Sequence, residues 1–395
     1  MIKKDTYLDN ASNTPLDQRV FRAMRPYLKE NFVGNTHSIH SYGIKARQAI
    51  EKARKQVAQV TGFLPAEIFF TSGATESNNW VLKSLAYHEL YEEKHPKKHL
   101  VVSAIEHASI LNTCHQLEKM GFIITYVKPR PSGKISIIDI KKALRFDTLL
   151  VCVMSVNNET GVENPIAKIG KMAHENKSLM MSDCTQYLSG GGSLCNLKAS
   201  LPNVDYYTFS GHKIYGPTGI GCLIAKKPAP VYSFITGGGQ EFGLRGGTSN
   251  TSGIVGIAEA LKLLSKEPCT NHFEKLYLYL INQLRAQRVP FKLNGEPDHK
   301  NIVNLNFSDF MNDTELASLL SVLGIACSAG SACEAADGLE VENIPSHVLT
   351  AMGIPAKEVF NSVRLSFSKY TTTKDIDAFV KVMKELKELQ EAKNE

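Results

Sequence analysis

A chain of 395 residues is too long for one ordinary hydrophobic core and implies two or three units sharing an interface. With 43% hydrophobic and 21% charged residues it has the composition of a globular protein, which excludes a disordered or fibrous one. The net charge of +6 rests on basic residues interleaved with acidic ones, as in Glu92-Glu93-Lys94 and Lys384-Glu385, and this excludes a stripe for direct nucleic-acid binding.

The first residues, Met1-Ile2-Lys3-Lys4, lead into Asp5-Thr6 with no apolar stretch of signal-peptide length. No apolar run approaches the roughly 20 residues of a membrane span, so a cytoplasmic protein without membrane contact is expected. A helix opening at Thr14-Pro15 fits the preference for Pro just inside a helix start, and it is expected to return to a C-terminal unit. Over 45–60, Ala46, Ile50, Ala53, Val57 and Val60 fall on one helical face. Strands are expected at 68–71, 100–103, 122–127, 148–155, 179–183, 206–209 and 221–224, separated by amphipathic segments. This is the pattern of βα units feeding one large, mostly parallel sheet of seven strands.

After Gly256 the texture changes. One long helical stretch is expected to about Gln287, then a strand at 302–307, a helix opening at Asp313-Thr314-Glu315, a strand at 363–367 and a final helix capped by Thr372. The expected class is therefore α/β: residues 15–256 form the large unit, and 1–14 with 257–395 form a smaller α+β one.

The cysteines at 114, 152, 184, 195, 222, 269, 327 and 333 show no CxxC or zinc-ligand spacing, so reduced thiols and no metal site are expected. Cys152 reads as a buried small hydrophobe, and Cys327, after Gly324-Ile325-Ala326, as buried on an apolar strand. Cys333 differs, because Ser328-Ala329-Gly330-Ser331-Ala332 before it are all small and give the segment little to bury.

Three segments suggest chemistry. Ser210-Gly211-His212-Lys213 follows the aromatic strand Tyr206-Tyr207-Thr208-Phe209, and a lysine shielded among aromatics becomes a usable amine nucleophile toward an aldehyde. Taken alone, the tetrapeptide fits a surface-loop lysine better. Thr71-Ser72-Gly73-Ala74-Thr75-Glu76 turns from strand to helix and can offer amides to a phosphate, or simply cap the helix. Asp183 ends an apolar strand, where a carboxylate needs a partner such as a protonated pyridine nitrogen, unless it caps a helix. Together they are the parts needed to hold pyridoxal phosphate.

In order along nearly the whole chain, the sequence resembles the cysteine desulfurases of the class-V aminotransferase family. The matching stretches include Tyr7-Leu8-Asp9-Asn10-Ala11, Phe70 to Asn79, Glu106-His107, Val156-Asn157-Asn158-Glu159, Asp183-Cys184-Thr185-Gln186, Ser210 to Pro217, Arg245-Gly246-Gly247-Thr248, Gly330-Ser331-Ala332-Cys333 and Ser362-Val363-Arg364-Leu365-Ser366. The resemblance implies the fold-type I architecture of pyridoxal 5'-phosphate enzymes, with Lys213 as the Schiff-base lysine, Asp183 on the pyridine nitrogen, Gln186 on the ring hydroxyl and His107 stacked on the ring and exchanging protons as a catalytic residue. It also implies that Ala74, Thr75, Ser210 and His212 hold the phosphate with Thr248 of a neighbouring subunit in a homodimer. Asn158, at the cofactor, and Arg364 would receive the carboxylate of L-cysteine. Cys333 would carry a persulfide to an acceptor protein, an iron–sulfur scaffold or a tRNA-thiolation enzyme. Other readings are a cysteine or selenocysteine lyase or transaminase of the same family, and a catalytically silent partner. Phe242 stands where many members have Arg, and Ser368-Lys369 where Gly-Arg is usual. The stretch after Cys333 is longer than the common form and resembles the type that reaches a scaffold.

Overall fold

In the computed structural model, residues 5–29, 32, 34–92, 94, 96–191, 196–311, 315–329 and 345–394 are described. The chain opens with a short strand β1 (Thr6–Tyr7) and helices α1 (Gln18–Met24) and α2 (Ser41–Thr61). Strands and helices then alternate: β2 (Ile68–Thr71), α3 (Ala74–Tyr91), β3 (His99–Ser103), α4 (Ala108–Lys119), β4 (Ile123–Val127), α5 (Ile137–Ala143), β5 (Thr148–Cys152), α6 (Ile166–Glu175), β6 (Leu179–Asp183), α7 (Thr185–Ser189), α8 (Leu197–Ser200), β7 (Tyr206–Ser210) and β8 (Gly221–Ala225).

The seven strands β2 to β8 form one sheet in the order β2-β8-β7-β6-β5-β3-β4, in which only β8 runs antiparallel to its neighbours. Helices cover both faces, so the inner strands are buried throughout and read as continuous apolar runs rather than alternating ones. The period-2 geometry still sorts neighbours to opposite faces. Phe69, Leu100, Val102, Leu150 and Cys152 share a core with Trp80 and Leu85 of α3 and Ile110 of α4. Phe70, Val101 and Val151 share the other with Val57 of α2 and Ile169 of α6.

Beyond the sheet come α9 (Thr251–Lys266), α10 (Thr270–Ala286), β9 (Lys292–Leu293), β10 (Ile302–Asn306), α11 (Leu316–Val322), β11 (Ile325–Ala326), α12 (His347–Ala351), α13 (Ala356–Phe360), β12 (Ser362–Ser366) and α14 (Thr373–Asn394). Strands β12, β10 and β9 form an antiparallel sheet, and β1 pairs with β11. A third core joins Leu8, Phe273, Leu280, Leu305, Phe307, Leu365, Phe379 and Met383.

Several expected elements differ in detail. The first helix opens at Gln18, with Asp17 accepting from the Arg19 N–H at 2.8 Å, and not at Thr14-Pro15. Its Val20 and Met24 belong to the core of the large sheet, so it does not return to the C-terminal unit. The single helix expected to Gln287 is two, broken at Glu267-Pro268-Cys269: Pro268 donates no N–H, and Glu267 before it sits at φ −129, ψ 69 outside the helical region. The break sets the allegiance of α9, whose Ile257, Leu261 and Leu264 pack under the large sheet. A boundary after Gly256 therefore falls inside α9. The helix expected from Asp313 begins at Leu316, with 313 and 314 outside the described residues. The final helix begins at Thr373, directly after Thr372 as expected, but the capping runs through Asp375, which accepts from the Thr372 N–H at 2.7 Å and from its hydroxyl at 2.8 Å. No helix among the described residues is long and apolar enough to cross a membrane.

Candidate active site

A cleft of about 240 Å³ opens at the carboxyl ends of the strands, where open α/β sheets present their ligands. It is lined by Ala74 and Thr75 after β2, His107 after β3, Met154, Val156 and Asn158 after β5, and Asp183, Thr185 and Gln186 at and after β6. Ser210, His212 and Lys213 at and after β7, Arg364 of β12, and Ala11 and Ser12 from the N-terminal segment complete it.

The first turn of α3 forms one wall. Gly73 caps this 18-residue helix without a side chain, so amides of its first turn remain for an anion, while the Ala74 N–H donates to Ser210 Oγ at 2.8 Å. That approach requires glycine at 221 in β8, since a Cβ there would lie 2.5 Å from the backbone of Gly73. Glu76, in the same turn, is occupied elsewhere, accepting from Arg245 at 2.8 and 3.0 Å.

Asp183 ends β6 and is 6% exposed. Asn78 Nδ2 and the Thr185 N–H each donate to its carboxylate at 2.9 Å, and both donors are neutral. Asn78 is itself oriented by Thr208, whose hydroxyl donates to it at 2.6 Å. A buried carboxylate held by neutral donors favours a cationic group brought by a ligand. Asn78 escaped sequence reasoning. Its one signal is a polar residue on a helix face otherwise buried against the sheet.

Lys213 closes a short 3-10 turn, Gly211–Lys213, directly after β7, and its ammonium donates to the carbonyls of Ala11 at 2.6 Å and Ser12 at 2.5 Å. Beside it, burial and then the charge of Lys213 pull His212 down to about 4, so the imidazole is neutral at pH 7. His107 caps α4. Its Nδ1 accepts from the Ser109 N–H at 3.1 Å, which places the proton of the neutral ring on Nε2. Gln186 is held from both ends, donating to the Ala11 carbonyl at 3.0 Å and accepting from Ser189 Oγ at 2.6 Å.

Arg364 is almost wholly buried. Nη2 donates to Asp9 Oδ1 at 2.7 Å and Ser12 Oγ at 2.8 Å, Nη1 donates to the Asn158 carbonyl at 3.0 Å, and Nε has no partner among the described residues. Asn158 Oδ1 and Thr185 Oγ1, also buried and lining the cleft, lack partners in the same sense. Behind His107, Glu106 is fully buried. Burial first of all, with the charge of Asp183 adding, pushes its carboxyl up to about 8, against hydrogen bonds from Ser103 and the Met154 N–H.

One cleft thus gathers Ala74, Thr75, His107, Asn158, Asp183, Gln186, Ser210, His212, Lys213 and Arg364. Thr248 does not join them, lying in a separate hollow with Thr71, Ser72, Gln240 and Arg245. Cys333 lies outside the described residues. Cys327, expected to be buried, is only partly covered, yet burial still pushes its thiol up to about 12 and keeps it protonated at neutral pH. The N-terminal residues Ala11 and Ser12 were not expected to line the site.

Residues 6–379 match the family model described as Aminotransferase class-V. The chain is 37% identical over 388 residues to the cysteine desulfurase IscS of Dictyoglomus turgidum, covering 98% of this chain and 95% of that protein. Among solved structures, a NifS-like protein superposes with a TM-score of 0.85 at 34% identity, covering 97% of this chain and 99% of that one. A structure of SspA in complex with cysteine does so at 0.79 and 36% identity, covering 93% and 99%. This chain belongs to the class-V aminotransferase family, and within it to the cysteine desulfurases.

Proposed function

We propose that the cleft holds pyridoxal 5'-phosphate, and that the protein converts L-cysteine to L-alanine while passing its sulfur to Cys333 and on to an acceptor protein. The observation that carries this reading is the convergence of Asp183, Lys213, His107, the open first turn of α3 and Arg364 on one cleft. The fit to the cofactor rests on the chemistry of the donor set. A buried carboxylate held by neutral donors suits a protonated ring nitrogen. The uncapped helix turn with Ser210 and the neutral His212 suits a phosphate, and the unpartnered Asn158 Oδ1 and Thr185 Oγ1 await polar groups.

When bound, the cofactor supplies an aldehyde that condenses with amines and a cationic ring that draws electrons from the substrate Cα. The protein's residues do the rest. Asp183 would keep the ring nitrogen protonated, Gln186 would meet the ring hydroxyl, and Ala74, Thr75, Ser210 and His212 would hold the phosphate. His107, with its proton on Nε2, would face the ring and exchange protons. Arg364 and Asn158 fix the substrate carboxylate, which aligns the Cα hydrogen with the amine of Lys213 for proton transfer. The Cys333 thiolate attacks the substrate sulfur: an S–S bond forms, the Cβ–S bond breaks with its electron pair left on carbon, and protonation of Cβ followed by return of a proton from Lys213 to Cα gives alanine. The acceptor is an iron–sulfur scaffold or a tRNA-thiolation enzyme in the cytoplasm. Because Thr248 lies apart from the cleft of its own chain, we assign it to the phosphate of a second copy in a homodimer.

Lys213→Ala should lose the absorbance band that borohydride reduces and should form no alanine. After cysteine treatment, mass spectrometry should find the added sulfur on the Cys333 peptide. Cys333→Ser should keep the absorbance while sulfide release disappears. A Cys333→Ser protein that releases sulfide at the normal rate points instead to the lyase reaction.

A further inference from the structure

Arg364 enters the cleft already paired. Asp9, whose side chain is 17% exposed, takes the shortest of its hydrogen bonds. Asp9 is not free to swing away, since the flanking backbone is stitched to β12, the strand that bears Arg364. Ser366 N–H donates to the Leu8 carbonyl at 2.7 Å, and the Ala11 N–H donates to Ser366 Oγ at 2.8 Å. The Tyr7 hydroxyl bonds the Asp9 and Asn13 carbonyls at 3.0 Å each and closes the segment from outside. Ion pair and scaffold are thus one rigid piece, and with Asp9, Ser12 and the Asn158 carbonyl each taking one N–H, Nε and the second N–H of Nη1 are left to a ligand.

From this geometry we infer that Asp9 is a positioning and attenuating residue, which aims Arg364 into the cleft and weakens its hold on the substrate carboxylate. The inference rests on the reading that Arg364 receives that carboxylate. A carboxylate arriving at Arg364 shares the guanidinium with a fixed like charge roughly 6 Å away, the span of one hydrogen bond on either side of the same guanidinium. Repulsion at that distance is modest in a partly hydrated site, enough for about a three- to tenfold loss of affinity. The physical advantage is turnover: alanine, which offers the same carboxylate, is released rather than retained.

The test is calorimetric titration of the cofactor-loaded protein with L-alanine and with L-alaninamide, which lacks the carboxylate. Asp9→Asn keeps an oxygen acceptor for Nη2 but removes the charge. It should bind L-alanine about three- to tenfold more tightly, leave alaninamide unchanged, and lower KM for cysteine without raising kcat. Asp9→Glu should restore the wild-type ratio of the two affinities. An Asp9→Asn protein whose ratio is unchanged, or shifted toward alaninamide, overturns the assignment. If Arg364→Gln also leaves the ratio untouched, the carboxylate role of Arg364 falls, and the inference with it. If Arg364→Gln collapses the ratio while Asp9→Asn does nothing, only the role of Asp9 fails.

Discussion

Glu106 supplies a prediction whose sign depends on pH. Its carboxyl titrates near 8 in the folded protein against 4.5 in the unfolded chain, because burial disfavours its charge. Below pH 4.5 both states hold the proton and the group is neutral in the balance. As pH rises, the unfolded chain loses its proton first, so unfolding is increasingly favoured until the folded carboxyl also ionises near 8. At pH 7 the accumulated cost is on the order of 3 kcal/mol, and above pH 8 on the order of 5. Glu106→Gln retains an oxygen to accept from Ser103 and the Met154 N–H at 2.7 Å while removing the ionisable group. The new amide NH₂ replaces Oε2, which has no partner among the described residues, and leaving it unsatisfied costs about 1–3 kcal/mol at every pH. The variant should therefore be less stable than wild type at pH 4.5 and equal or more stable at pH 8. The difference between the two proteins should change by several kcal/mol across that window. Urea melts at pH 4.5, 6 and 8, followed by circular dichroism, measure it. A constant difference at all three values would show that Glu106 is ionised in the folded state and would refute the reasoning.

Arg54 and Glu241 form a buried two-point ion pair at 2.8 and 2.9 Å, with Arg54 flanked by the rings of Phe70 and Phe242. Glu241→Gln, which leaves the buried guanidinium only the half-exposed Glu51 as a counter-charge, should cost about 3–5 kcal/mol in the same melts, whereas Arg54→Met with Glu241→Leu should recover most of it. Gly221→Ala should force β8 away from Gly73 and open the first turn of α3. Cofactor affinity measured by dialysis and absorbance should fall at least tenfold, with a stability loss of about 1–3 kcal/mol.

The site's parts were unequally legible. Lys213, Asp183 and the turn from Thr71 to Glu76 stand out because each places a polar group where an apolar strand ends, a local feature visible in a few consecutive residues. Their roles are proposals resting on the resemblance, but their meeting in one cleft follows from the parallel sheet, which brings the carboxyl ends of its strands to one edge. Asn78 and Asp9 carried no comparable signal. Each matters only through a partner far along the chain, Asp183 for one and Arg364 for the other.

By itself, the amino-acid sequence determined the seven strands of the large sheet, since the inner strands, covered on both faces, must be largely apolar. It also determined the alternation with helices that makes the sheet mostly parallel. Only the tertiary structure decided where α1 and α9 belong. Their apolar faces show that they are buried but not against what, and the break at Pro268 lets α9 turn back under the sheet while α10 joins the other core. It likewise decided that Ala11 and Ser12 cross the cleft. Hydrophobic periodicity reports burial within a segment, whereas the choice of partner is made by packing and hydrogen bonds between segments hundreds of residues apart, such as the 2.6 Å contact of Lys213 with the Ala11 carbonyl.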